Sequence, residues 1–393
     1  MSEPGAKDRT IATHAGNRPH DNSGVVNPPI YRASTILFPT VREMRDSYKQ
    51  KYTAITYGRD GTPTQRLLEE AICQLDGAER AVIVPSGLAA VSAALIANLG
   101  PGDHLLMVDT AYEPTRLLCV NFLVKIGVEV TYYDPMVGAG IDALIRPNTK
   151  VVYLESPGSL TFETQDVPAI VAAARARGCL TIADNTWATP LYFKPAKLGV
   201  DMTVYAATKY LCGHSDMMLG IVTCREDLHT KIAKMAYSVM GHAVSGDDCY
   251  MAMRGLRTLH ARLTQHQETA LLLARWLTER PEVEQVLHPA LEDTPGHEFW
   301  MRDMRGASGL FGVVLKPHAP ERIEAMLDGM RLFGMGFSWG GYESLMIPAS
   351  LSQTRTAKPW HANGRTLRIH AGLEDPADLI ADLEAGLNRL AGK

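Results

Sequence analysis

The stretch Met202-Thr203-Val204-Tyr205-Ala206-Ala207-Thr208-Lys209-Tyr210, continued by Gly213-His214-Ser215-Asp216, organises the reading of this chain. It opens on an apolar run that reads as a buried strand, and the run ends among small residues at one lysine. Burial disfavours an ammonium and lowers its pKa, which makes the amine available as a nucleophile or base. Amines of this kind form Schiff bases with carbonyl compounds. A surface lysine just past a strand end fits the local sequence equally well, so the flanking chain has to decide.

Outward from this stretch, short apolar runs alternate with helical patterns. Residues 80–84, 104–108, 128–133, 150–154, 179–183 and 202–205 read as strands, with 220–223 as a further one. Residues 88–99, 113–126 and 167–177 read as helices, the last stopped by Gly178. Such alternation predicts an α/β fold with a mostly parallel sheet covered on both faces, and its ligands belong at the carboxyl ends of the strands. Residues 1–55 are punctuated by Asn27-Pro28-Pro29 and Phe38-Pro39 and promise only one polar helix, over 43–51. An arm without its own core is expected to pack on something else, such as a neighbouring subunit. The amphipathic stretch 248–278, with Met253, Leu256, Leu259 and Leu263, predicts a helix leaving a large domain. Strands at 312–315 and 366–370 and helices at 320–330 and 376–390 predict a smaller α+β C-terminal domain. The expected division is an arm (1–55), a large domain (56–250) and a small domain (251–393).

Composition narrows the function classes. Lys and Arg total 39 against 43 Asp and Glu, for a formal net charge of −4. That balance gives no electrostatic reason to expect nucleic acid or an anionic membrane as partner. The start Met1-Ser2-Glu3-Pro4-Gly5-Ala6-Lys7 lacks the apolar core of a signal peptide, and no segment is long and apolar enough to span a bilayer. Six cysteines without CxxC pairs read as reduced, mostly buried thiols. A soluble cytoplasmic protein is expected.

Several residues near predicted strand ends could carry chemistry. Ser86-Gly87-Leu88-Ala89-Ala90 joins a strand to a helix, where free N–H groups and the helix dipole can bind phosphate; an ordinary strand-to-helix turn reads the same. Asp184 follows an apolar run, and a carboxylate there can hold the proton on a pyridine nitrogen of a cofactor or simply cap a turn. Tyr112 could lie on a flat ring or pack as a lone tyrosine. Arg59, beside Tyr57, could bind phosphate or carboxylate, although a solvated loop arginine is the better local reading. Arg368 interrupts an apolar strand and needs an anion, either a substrate carboxylate or a structural ion pair; Ser338-Trp339-Gly340-Gly341 lies in the same domain. No metal site is expected: His297-Glu298-Phe299-Trp300-Met301 begins like HExxH but ends in methionine, and Cys212 and His214 lack companions.

Together these residues resemble the cystathionine family of pyridoxal-phosphate enzymes, the Cys/Met metabolism group. The resemblance spans nearly the whole chain through Tyr57-Gly58-Arg59, Thr110-Ala111-Tyr112-Glu113-Pro114, Leu154-Glu155-Ser156-Pro157-Gly158-Ser159, Asp184-Asn185-Thr186-Trp187, Ala207-Thr208-Lys209-Tyr210 and Arg254-Gly255-Leu256-Arg257-Thr258-Leu259. Ser338-Trp339-Gly340-Gly341-Tyr342-Glu343-Ser344, His288-Pro289-Ala290-Leu291 and Gly296-His297-Glu298-Phe299-Trp300 are similar to its bacterial β-lyase branch. Ala206 departs from the wider family, which commonly has a phosphate-binding serine there. The resemblance implies the aspartate aminotransferase type I fold, a homotetramer with active sites shared across tight dimers, and β-elimination of L-cystathionine to homocysteine, pyruvate and ammonia. Other carbon–sulfur lyase or transferase reactions of the family, or a non-catalytic regulator, are the alternatives. It further implies that Lys209 holds pyridoxal 5′-phosphate as a Schiff base, Asp184 pairs with the ring nitrogen and Tyr112 stacks on the ring. Gly87, Leu88 and Thr208 would bind the phosphate with Tyr57 and Arg59 of a neighbouring subunit. Arg368, Ser338 and the Trp339 backbone would hold the substrate carboxylate. Lys209 would move the Cα proton, assisted by Tyr112 or Tyr57.

Overall fold

The computed structural model describes residues 5–351 and 355–392. Seven strands form the larger sheet: β1 (Arg80–Val84), β2 (His104–Val108), β3 (Glu129–Tyr133), β4 (Thr149–Glu155), β5 (Leu180–Asp184), β6 (Met202–Ala206) and β7 (Gly220–Cys224). Their spatial order is β1-β7-β6-β5-β4-β2-β3. The pairings from β3 through β2, β4 and β5 to β6 are parallel, whereas β7 runs antiparallel to both β6 and β1. The near-continuous apolar runs are what a sheet covered on both faces requires. Val82 and Val84 pack into one core while Ile83 enters another, as the two-residue period of a strand dictates.

Two helices packed on this sheet begin at caps legible in the sequence. The Ser86 hydroxyl accepts the Ala89 N–H at 3.1 Å and starts Gly87–Asn98. Thr62 and Pro63 start Pro63–Asp76, which stops at Gly77 in the left-handed conformation. The helical pattern expected over 113–126 is one rod with a π-helical segment, Cys119–Leu123, and a 3₁₀ end.

The helix expected to leave the large domain runs Gly246–Thr278 from a Ser245 cap. Its first half buries Met253, Leu256, Leu259 and Leu263 against the β1–β7–β6 side of the sheet. Its second half, with Leu273, Ala274 and Leu277, belongs to the core of a second sheet. That sheet is antiparallel, in the order β10-β11-β9-β8, from β8 (Val283–Leu287), β9 (Leu310–Leu315), β10 (Leu345–Ala349) and β11 (Thr366–His370). Strands β8 and β10 escaped the sequence reading. Glu284 and Gln285 break the apolar run of one and Pro348 stands inside the other.

The N-terminal arm carries a helix that the sequence reading did not expect. Helix Asp8–His14 packs on this chain's own Pro63–Asp76 and Gly246–Thr278 helices and buries Ala12. The Arg257 guanidinium holds it by donating to the carbonyls of Ala12 (3.0 Å) and Ala15 (2.8 Å). The expected polar helix covers Val41–Lys49, capped by Thr40, and buries nothing. The six cysteines are free thiols, all but Cys73 fully buried. Among the described residues no helix is long and apolar enough to cross a membrane, and no cluster of His, Cys, Asp and Glu could hold a metal ion.

Candidate active site

Lys209 sits in the turn after β6, where its N–H donates to Ala206 O at 3.0 Å and its carbonyl accepts from Gly213 N at 2.8 Å. Arg262 of the long helix braces this turn through Tyr210 O at 2.7 Å. The lysine is largely buried, and its Nζ donates to Ser338 Oγ at 2.6 Å. Among the described residues no carboxylate lies within ion-pair distance of that amine. Burial, helped by the positive charge of Arg368 and opposed by Asp184, lowers its pKa to about 8. The alternative of a solvated surface lysine falls on this geometry.

Ser338 belongs to a loop of the smaller sheet that presses onto the lysine from the other side. The Trp339 ring centroid lies 5.1 Å from Lys209 Nζ and 5.4 Å from the Tyr210 ring. Gly340 has φ +86°, and a Cβ there would stand 2.9 Å from the Lys209 carbonyl carbon, so only glycine permits this approach. His370 Nε2 accepts the Gly340 N–H at 3.1 Å and ties the loop to β11. Ser338 itself takes a left-handed φ of +73°, a strained choice for a non-glycine residue. A cleft of about 740 Å³ opens beside it, lined in part by Thr208, Ser215, Met218, Phe337 and Trp339.

Asp184 ends β5. Its Oδ1 accepts the Thr186 N–H at 2.9 Å, and burial raises its pKa against the pull of Thr186, Tyr153 and Lys209. Arg368, on β11, donates to the carbonyls of Ser338 (2.9 Å) and Gly336 (3.2 Å). Among the described residues no carboxylate pairs with it, and burial lowers its pKa. The structural ion pair that the sequence allowed is therefore absent from the described residues, and a guanidinium in this state favours an incoming anion. Tyr112 is 45% exposed. Burial raises its pKa, so the phenol keeps its proton at neutral pH.

Gly87 and Leu88 open the helix after β1, where first-turn N–H groups lack helical acceptors. A Cβ on Gly87 would collide with the Ala206 methyl, so the helix start is pressed against the end of β6. The Thr208 hydroxyl is engaged with Leu219, donating to its carbonyl at 3.2 Å and accepting its N–H at 2.9 Å. Among the described residues no hydrogen bond, ion pair or ring contact joins Tyr57 or Arg59 to Lys209, Asp184 or Arg368. Tyr57 and Arg59 flank a short 3₁₀ turn, Gly58–Asp60, where Arg59 lies 5.4 Å from the Tyr57 ring centroid and 3.6 Å from Asp60.

This donor set fits a phosphorylated aromatic aldehyde. It offers a buried amine of lowered basicity for the aldehyde, a carboxylate for a ring nitrogen, an aromatic side chain and helix N–H groups behind a Gly87 cradle that admits no side chain. The sequence reading missed Glu155, which ends β4 beside Asp184 and accepts the Tyr112 N–H at 2.8 Å. An acid closing an apolar run was the available signal, but the pairing of β4 with β5 was not legible.

Comparison with known proteins agrees with this geometry. The family described as Cys/Met metabolism PLP-dependent enzyme matches residues 9–388. The chain is 44% identical over 388 residues to the cystathionine beta-lyase of Escherichia coli, covering 97% of this chain and 98% of that protein. It is 40% identical over 399 residues to an L-alanine/L-glutamate racemase of Wolbachia pipientis, covering 98% of each. The crystal structure of cystathionine gamma synthase from Xanthomonas oryzae, in complex with aminoacrylate and cysteine, superposes with a TM-score of 0.90 at 33% identity, covering 99% of this chain and 100% of that one. The two-sheet architecture is thus that of a type I pyridoxal-phosphate fold, and the chain belongs to the Cys/Met metabolism family of enzymes that depend on this cofactor.

Proposed function

We propose that this protein is a cystathionine β-lyase, cleaving L-cystathionine with water to L-homocysteine, pyruvate and ammonia. The observation that carries the chemistry is the Lys209 amine, buried, bonded to Ser338 and without a carboxylate partner among the described residues. The likeness to the Escherichia coli β-lyase, together with Trp339 beside that amine, favours the β bond over the γ bond. Pyridoxal phosphate, when bound, supplies an aldehyde that condenses with amines and a ring that absorbs negative charge from Cα.

The chain's own residues do the rest. Lys209 Nζ would hold the cofactor, and its amine would take the Cα proton of the substrate; a desolvated amine near pKa 8 suits that transfer at neutral pH. Asp184 would hold a proton at the ring nitrogen, Tyr112 would stack on the ring, and Gly87, Leu88 and Thr208 would hold the phosphate. Thr208 reaches it by giving up its bond to Leu219 O. Arg368 holds the substrate α-carboxylate, with Ser338 and the Trp339 backbone beside it. Tyr57 and Arg59 reach the phosphate of a neighbouring subunit in a homotetramer, which accounts for the absence of a hydrogen bond, ion pair or ring contact between them and Lys209 among the described residues. The arm (1–55), cofactor domain (56–250) and small domain (251–393) are parts of the same reading. A reducing, cytoplasmic setting is consistent with six free thiols.

The test is a product assay on purified holoenzyme with L-cystathionine. Pyruvate and homocysteine support the reading; 2-oxobutyrate and cysteine sink it in favour of γ-cleavage. The likeness to the Wolbachia racemase favours one second reading, in which the Cα proton is returned to the opposite face of the substrate. Formation of D-alanine from L-alanine would support it.

A further inference from the structure

The carboxyl edge of the large sheet carries two acids side by side, and only Asp184 has a task in the proposed chemistry. Glu155 closes β4 in register with Asp184 at the end of β5. Neighbouring strands lie about 4.8 Å apart, so two carboxylates leaving the same edge of adjacent strands feel each other directly. The main chain of Glu155 is clamped, because Gln165 Nε2 donates to its carbonyl at 2.8 Å and Gln165 N donates to the adjoining Ser156 Oγ at 2.9 Å. Its Oε2 accepts the Tyr112 N–H at 2.8 Å. That bond crosses from β4 to the turn after β2 and fixes the residue whose ring belongs on the cofactor.

We propose that Glu155 is a positioning residue of this site: it stands uncharged beside Asp184, anchors Tyr112 through Oε2, and leaves the negative charge of this edge on Asp184. The proposal rests on the pyridoxal-phosphate reading for its purpose but not for its protonation state. Like charges at this spacing do not both ionise in a desolvated cleft. Four groups face Glu155: Asp184 from β5, the backbone and the phenol of Tyr112 from the turn after β2, and Tyr153 on its own strand. None of these is a cation. Burial raises the Asp184 pKa too, but there the Thr186 N–H and the attraction of Lys209 oppose it and favour the charged form, whereas Glu155 has no cation beside it among the described residues. Burial and the neighbouring Asp184 push the Glu155 pKa well above the carboxylate range, and the Tyr112 N–H only partly offsets them.

Infrared difference spectra and cofactor titrations test this together. At neutral pH, wild-type protein with or without cofactor is expected to show a protonated carboxylic acid band that Glu155→Gln lacks. Absence of that difference overturns the proposal. Glu155→Ala leaves the Tyr112 N–H unpartnered and is expected to weaken pyridoxal phosphate affinity about 10-fold, whereas Glu155→Gln, neutral and still an acceptor, restores it to within about 3-fold. A glutamine variant as weak as the alanine variant overturns the positioning role. Wild-type protein that binds no pyridoxal phosphate would instead defeat the proposed function, and the infrared band would still decide the state of Glu155.

Discussion

At Lys209 the fold withholds water from an amine, and that has a measurable cost. Its pKa falls from 10.5 to about 8, so in the cofactor-free protein the charged form is disfavoured relative to the unfolded chain. The sign follows: the penalty is absent above pH 10.5, grows as pH falls, and is complete below about pH 8, where it amounts to roughly 3 kcal/mol. Lys209→Met removes this penalty and loses only the hydrogen bond to Ser338, worth about 1 kcal/mol. The variant is therefore expected to melt at higher temperature than the wild type at pH 7 when both lack cofactor, and the gain should vanish near pH 10.5. The same variant should have no lyase turnover. Arg368 makes a second case at this scale. Its guanidinium lacks a carboxylate partner among the described residues, and charge-assisted hydrogen bonds contribute about 1.5–3 kcal/mol. Arg368→Ala is expected to raise KM for the amino-acid substrate by about 10- to 100-fold, which steady-state kinetics will read.

Among elements, the end of β2 is where the two parts of the chain are clasped. Asp109 is fully buried and accepts from the backbone N–H groups of Thr356, Ala357 and Lys358, from Thr356 Oγ1, and from Arg116 at 3.0 Å. Arg355 lies 3.6 Å away and also pairs with Glu163 at 2.9 Å. Burial pushes the Asp109 pKa up, but the donated N–H groups outweigh it and hold the carboxyl below its usual range. A depressed carboxylate contributes stability above its unfolded pKa and loses it as pH falls through the folded value, so the clasp should open only below about pH 4. Asp109→Asn leaves two buried arginines short of a partner and is expected to cost about 3 kcal/mol. Faster hydrogen exchange at Thr356, Ala357 and Lys358 would be its signature. The helix Gly87–Asn98 offers a companion test. Ser86→Ala removes its cap at a cost of about 1 kcal/mol and should weaken phosphate binding as the first turn frays, as a fluorescence titration with pyridoxal phosphate would show.

For the whole molecule, large apolar side chains stand in water when the chain is alone. Leu37 is 88% exposed and Phe337 91% exposed, and Val25, Val26, Leu117, Val120 and Met218 are also uncovered. Exposed apolar area of this kind marks an interaction surface. Sedimentation is expected to find a tetramer at micromolar concentration. If Arg59 and Tyr57 serve a neighbour's site, inactive Arg59→Ala and Lys209→Ala chains, unfolded and refolded together, should recover partial lyase activity that neither shows alone. Recovery of none would argue against shared sites.

The sequence by itself determined the alternation of strands and helices in the large sheet, since buried strands are apolar and helix caps are local. Its dense run of motifs also marked Lys209, Asp184 and Arg368, because an ionisable residue closing or interrupting an apolar run stands out. Strands β8 and β10 were hidden because their stability comes from β9 and β11 rather than from their own composition. Helix Asp8–His14 was hidden because Arg257 and the long helix hold it. Only the tertiary structure decided that Lys209 lacks a carboxylate partner among the described residues, that Ser338 and Trp339 close over it from the second sheet, and that Glu155 stands beside Asp184. Each of these depends on distances between residues far apart in the chain, and a pKa responds to those distances and to excluded water, neither of which is written in local sequence.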